Sequence, residues 1–242
     1  MRRLLLVVAA LALVVPAQAM AKEPKELRVC GPASCGVTQD RALLANVGDG
    51  GNGARVATPG LRPYYKLKFI LDVPDDAATE SFEIYYLPDL GVIASPDELG
   101  RVRWTPVTRE FRTLVTRLSQ GVQPYGKPTI TNVKIGSRVV SAPATYERLL
   151  TIRGKPARRV AHDWRYVSIT TDQPSPWSDW QLLKFSAKRG YLYRDQHSLV
   201  LPKYVAAQVK AGRTLGSAGS GLAAAAVLGA FGLVFLRRRA RR

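Results

Sequence analysis

The chain has 242 residues, 46% of them hydrophobic and 22% charged, a composition that excludes a disordered polymer and leaves enough apolar material for a packed core. Its formal net charge is +18, and the excess is uneven: residues 22–100 hold 8 basic and 12 acidic side chains, whereas residues 101–213 hold 21 and 6. Two cysteines fall short of a structural zinc set, and no long charge-free tract interrupts the middle of the chain.

In chain order, Arg2 and Arg3 precede an apolar stretch from Leu4 to Val15, after which come Pro16 and small residues at Ala17, Ala19 and Ala21. This is the layout of a secretory signal peptide over residues 1–21. Twelve helical residues reach only about 18 Å, too short to span a bilayer. Cys30 and Cys35 follow, and in an exported chain they are expected to form a disulfide that closes a tight turn. The redox motif needs two intervening residues, not the four found here.

Residues 65–73 alternate like a half-buried strand, and a second strand follows at 82–87 after the acidic turn Pro74-Asp75-Asp76. Next come Gly91-Val92-Ile93, a polar loop, Arg103-Trp104 and Pro106. A helix is predicted over 107–118, with Val107, Phe111, Leu114, Val115 and Leu118 on one face. The same series returns 99 residues later. Residues 164–171 read as a strand, a Pro/Ser/Trp turn spans 173–179, and 180–185 form the second strand. Gly190-Tyr191-Leu192 falls opposite Gly91, and Pro202 precedes a helix over 203–210 as Pro106 precedes its own.

The expected fold is therefore α+β: a duplicated β-β-β-α unit, at about 64–120 and 164–211, with antiparallel sheet pairing and helices on one face. A further strand at 129–135 and a short helix at 142–150 lie between the units.

Residues 214–236 carry no charge and precede the arginine-rich tail 237–242. Twenty-three helical residues reach about 34 Å, so 214–236 is expected to form one transmembrane helix. The positive-inside rule places the tail in the cytoplasm and the ectodomain 22–213 outside the cell membrane. The order of Gly/Ser patch, short apolar helix and arginine cluster also resembles the C-terminal sorting tails of bacterial surface proteins, so retention and cleavage of the tail both remain open.

Catalytic motifs are absent. Gly48-Asp-Gly-Gly-Asn-Gly53 has the letters of a dinucleotide fingerprint but neither follows a clear strand nor opens a helix, and Asp49 with Asn52 offers too few oxygens for calcium. His162 and His197 sit beside Asp163 and near Asp195, without a nucleophile motif. Asp75, Asp76 and Glu80 read as solvation of a hairpin loop. No catalytic, metal or cofactor site is assigned. Two features point to recognition: Arg153, Lys155, Arg158 and Arg159, four cations in seven residues, form a candidate anion-binding loop, and Trp177 and Trp180 are candidate recognition aromatics in a Pro/Ser-rich turn.

Three short motifs, Val29-Cys30-Gly-Pro-Ala-Ser-Cys35, Pro174-Ser-Pro-Trp177-Ser-Asp179 and Leu201-Pro202-x-x-x-Ala-Ala-Gln-Val209, together resemble a loosely defined group of uncharacterised bacterial exported, C-terminally anchored proteins. The resemblance implies export and carries no site residues with it. The leading expectation is a non-catalytic binding or scaffolding ectodomain at the cell envelope. Its partners would be membrane lipid, an anionic envelope polymer or another membrane protein, and not nucleic acid. The alternatives are an exported hydrolase acting on cell-wall polymer and an accessory subunit of a membrane complex.

Overall fold

The computed structural model describes residues 23–47, 53–72, 80–97, 99–179 and 183–213. The signal segment 1–21, the apolar segment 214–236, the tail 237–242, Trp180, the Gly48–Asn52 stretch and the Asp75-Asp76 turn lie outside them. Among the described residues no helix is long and apolar enough to cross a membrane.

Two antiparallel sheets carry few helices, so the chain is α+β as expected. The first sheet has strand order β2-β1-β3-β4-β5-β6. Its strands are β1 (Glu23–Cys30), β2 (Cys35–Thr38), β3 (Tyr65–Asp72), β4 (Glu80–Leu87), β5 (Val92–Pro96) and β6 (Val102–Pro106). The second runs β8-β7-β10-β11-β12-β13-β9. It comprises β7 (Ile130–Ile135), β8 (Arg138–Val139), β9 (Lys155–Pro156), β10 (Trp164–Thr171), β11 (Leu183–Ser186), β12 (Tyr191–Arg194) and β13 (His197–Val200). The helices are α1 (Arg41–Val47), α2 (Arg109–Leu118), α3 (Arg148–Thr151), entered through a 3-10 turn at Pro143–Glu147, and α4 (Lys203–Ala211).

Both sheets run through a hairpin, a short helical segment, a four-strand meander and a helix, the second with β9 inserted between its helical segment and its meander. Gly91 and Gly190 mark the correspondence. They sit at φ +62° and +67°. The Gly91 N–H donates to Leu87 O at 2.9 Å and the Gly190 N–H to Ser186 O at 2.8 Å. Their carbonyls accept from Val107 N at 2.9 Å and Leu201 N at 3.0 Å.

The expected three-strand meander gains a fourth member in both sheets, because Arg103-Trp104 and 197–200 pair as β6 and β13. Pro106 is not at a helix start. It ends β6 opposite Val92, and α2 begins after Thr108, whose hydroxyl accepts from Phe111 N at 3.2 Å. That N-cap satisfies a donor which the first helical turn leaves free.

Alternation along β1, β3, β4 and β5 sends Leu27, Val29, Leu67, Phe69, Ile84 and Ile93 to one face of the first sheet. There they meet Leu44 of α1 and Phe111, Leu114 and Val115 of α2. The opposite face sends Tyr85, Leu87, Ala94 and Trp104 into a second cluster. That cluster continues through Tyr64 and Trp177 into the inner face of the second sheet, where Val167, Ile169, Phe185 and Leu192 pack under α3 and α4.

The Cys30–Cys35 disulfide is formed, and it closes the β1–β2 hairpin at the pair Cys30↔Cys35.

The turn 174–179 of the second half docks on the first sheet. The Tyr85 hydroxyl donates to the Asp179 carboxylate and the Tyr64 hydroxyl to Pro174 O. Burial, reinforced at Tyr85 by Asp179, pushes both phenols well above their ordinary pKa. Trp177 is 1% exposed, donates its indole N–H to Pro59 O at 3.1 Å, and packs 5.6 Å from the Trp104 ring.

A second tie runs through Arg194, 7% exposed, on the inner face of β12. Its guanidinium donates to Leu149 O at 2.7 Å and Ile152 O at 3.0 Å, and its Nε to Asp195 at 3.2 Å. Asp195 in turn accepts from the N–H of Thr58, at 3.0 Å, in the segment leading to β3.

Candidate anion-binding face

Strand alternation places Val167, Ile169, Leu183, Phe185 and Leu192 inward, so their neighbours point out. Register aligns those outward residues into rows. Tyr166 stands across from Lys184, which stands across from Tyr193. One step along, Trp164 faces Ser186, which faces Tyr191, then Val200, then Lys155 of the two-residue strand β9. At about 4.8 Å per strand the second row spans roughly 19 Å. In the first sheet the corresponding face takes the turn 174–179; on this one Tyr166 is 50% exposed and Trp164, Lys184, Tyr191 and Tyr193 are half-buried, while Ser186 is fully buried and bonded to Asp163.

The rings and the lysine hold one another in place. Lys184 Nζ lies 4.8 Å from the Tyr166 ring centre and 5.7 Å from that of Tyr193, while Trp164 meets Tyr193 edge-on at 5.9 Å. An exposed cation over a ring contributes about 0.5–1 kcal/mol, enough to orient the ammonium without removing its charge from solvent.

The row that ends at Lys155 opens into a groove of about 730 Å³ lined by Lys155, Arg158, Arg159, Tyr191 and Val200. All three cations are exposed, and none forms an ion pair among the described residues. The groove exists because Gly154 lets the loop run against β13. A Cβ at that position would stand 2.7 Å from Val200 O, closer than any side-chain carbon can lie.

The carboxylates bordering this face are already engaged. Asp163 accepts from the Ser186 hydroxyl and from Lys188 N at 2.9 Å, contacts that hold its pKa below the ordinary carboxylate range. Asp195 accepts from Thr58 and Arg194, and Asp97 pairs with Arg101 at 2.7 Å. Donors therefore dominate the surface. Rings offer flat apolar faces for the C–H side of a sugar or a lipid glycerol, and the cations offer counter-charge to carboxylate or phosphate.

Of the residues singled out from the sequence, the structure brings Lys155, Arg158 and Arg159 together. Arg153, although exposed, does not line the groove. The basic run is not wholly a loop either, since β9 stitches it to β13. Trp177 is corrected from a recognition ring to a buried anchor: it is 1% exposed, with its indole packed against Trp104 and bonded to Pro59 O. His162 and His197 are both exposed. Among the described residues no three His, Cys, Asp or Glu side chains gather as a metal site.

The outward aromatics of β10 and β12 escaped the sequence reading. The signal that could have found them is period-two alternation, Trp164-x-Tyr166 and Tyr191-x-Tyr193, on strands whose other face is aliphatic. No protein-family model matches the chain, and comparison with curated proteins and with solved structures finds none similar to it.

Proposed function

We propose that this chain is a non-catalytic envelope-binding protein whose α+β ectodomain holds an anionic envelope polymer on the outward face of its second sheet. The observation that carries the reading is a set of outward rings, Trp164, Tyr166, Tyr191 and Tyr193, on adjoining strands beside a groove with three cations that form no ion pair among the described residues. Rings without cations would suit a neutral glycan, and cations without rings would suit any polyanion. Their proximity favours a polymer with both sugar faces and negative charge.

The exported placement is part of the proposal. It rests on the signal-like segment 1–21, the apolar segment 214–236 with its arginine tail 237–242, and a chain whose two cysteines are paired. The shared succession of elements in the two sheets, together with the matching bonds of Gly91 and Gly190, supports descent by duplication of one unit. In that scheme the first copy lost its outward face to the docking of residues 174–179, and the second kept its own for a ligand.

The test is retention of the full-length protein, extracted in detergent, on an immobilised polyuronate and on neutral dextran. Binding to the polyuronate alone is expected. Replacing Lys155, Arg158 and Arg159 together by glutamine removes about 1 kcal/mol for each cation at an anionic surface, or roughly a hundredfold in affinity. Equal retention of the triple variant would overturn the proposal. Binding to phosphatidylglycerol vesicles without binding to the polymer would transfer the site to lipid.

A further inference from the structure

Beside the ring ladder, where β6 of the first sheet approaches the β12–β13 hairpin of the second, lies a small recess of about 50 Å³. It is several times the space that one water occupies by the same measure, and is of the size of a single small anionic group. Arg55, Arg101, Arg103 and Lys184 line it, with Asp195 as the one carboxylate. Arg101 is committed to Asp97 and Asp195 to Thr58 and Arg194, so among the described residues Arg55, Arg103 and Lys184 stand there without a carboxylate partner, Arg103 Nη2 donating instead to Gly53 O at 3.1 Å.

Two of its lining residues carry a buried donor without a partner: Nε of Arg103 and Nε1 of Trp104, an indole that is 2% exposed. Buried polar groups are nearly always satisfied, and each exception calls for an explanation. Here two of the four such atoms among the described residues fall on neighbouring residues of one recess. Arginine, lysine and indole can only donate, so their complement is an acceptor, and the surplus of cations favours an anionic one.

We infer that this recess is a subsite for one oxyanion, the carboxylate of a uronic acid or the phosphodiester of a polymer backbone, held by Arg103, Lys184 and the Trp104 indole N–H. Tyr193 and Lys184 belong both to the recess and to the ring ladder, so a chain lying along the outward face would place one charged unit in it. The inference rests on the polymer reading only for the identity of the molecule that bears the oxyanion.

The experiment follows the indole N–H resonances of the full-length protein in detergent during titration with glucuronate, diethyl phosphate and, as control, glucose. Trp104→Phe identifies its own signal by deletion. That signal is expected to shift saturably with either anion and to stay still with glucose, and Arg103→Gln and Lys184→Gln should each weaken binding about tenfold, the loss expected for one hydrogen bond to a charged group. A motionless Trp104 signal, an equal response to glucose, or unchanged affinity in both variants would overturn it. Response to diethyl phosphate alone would assign the phosphodiester, and to glucuronate alone the carboxylate. Should the anions shift Trp104 while the Lys155, Arg158 and Arg159 variant keeps full polyuronate binding, the subsite stands and the groove reading fails. The reverse outcome leaves the groove and removes the subsite.

Discussion

Trp177 offers the sharpest test of how the two halves are held together. Its ring is 1% exposed, lies 5.6 Å from Trp104 and 6.2 Å from Tyr64, and its N–H donates to Pro59 O. Truncating a buried tryptophan to alanine costs about 3–5 kcal/mol. This site belongs at the upper end, since Trp177→Ala also leaves Pro59 O without its donor, a further loss of about 1 kcal/mol. A change of about 5 kcal/mol is comparable to the whole stability of many domains. In urea, with a slope of about 2–3 kcal/mol per molar for a domain of this size, the midpoint should fall by roughly 2 M. Trp177→Phe keeps the apolar contact and loses the hydrogen bond, so it should cost about 1–2 kcal/mol and leave polyuronate binding unchanged. A cost below about 1 kcal/mol for Trp177→Ala, or lost binding in a stably folded Trp177→Phe, would refute the assignment of this residue as a structural anchor.

Other perturbations read separate parts of the fold. Removing the Cys30–Cys35 bond by double serine substitution releases a very short loop, and calorimetry should find a loss of about 2 kcal/mol. Arg194→Met strips donors from Leu149 O and Ile152 O and leaves Asp195 short of its cation, at a cost of about 3 kcal/mol in chemical denaturation. Asp163, like Glu26 and Asp97, has its pKa held below the ordinary carboxylate value by hydrogen bonds to the charged form. The stability each contributes is complete above the unfolded pKa of about 4 and is lost as pH falls through the lower folded value. Asp163→Asn should flatten the acid limb of the stability–pH curve, and an unaltered limb would contradict the bond to Ser186.

Much of the fold could be read from residue patterns, and the exceptions have physical causes. The strands at 65–72 and 164–171 were visible because one face is aliphatic and the other polar, and α2 because Phe111, Leu114 and Val115 recur at helical spacing. β1 was missed: Glu23, Lys25 and Arg28 interrupt it, and its neighbours in the first sheet decide its state more than its own propensity does. β6 and β13 are short, and Pro106 conceals the first because proline reads as a breaker although it closes the strand end.

The site was legible only in part. The cations of 153–159 stand out by density, yet which of them share a groove depends on the pairing of Lys155 with Val200. The same limit explains Trp177 and Tyr191. A tryptophan in a Pro/Ser turn looks exposed until the partner sheet is known, and a tyrosine in a strand looks buried until the register shows which face it takes.

The proposed ligand lies along the outward face of the second sheet. Oxidative side-chain footprinting of the full-length protein, with and without polyuronate, addresses this placement directly. Trp164, Tyr166, Tyr191 and Tyr193 should lose reactivity together when the polymer is added, while Phe82, exposed on the first sheet, should keep its own. Unchanged reactivity of those four rings under saturating polymer, or protection centred on the first sheet, would contradict the proposal.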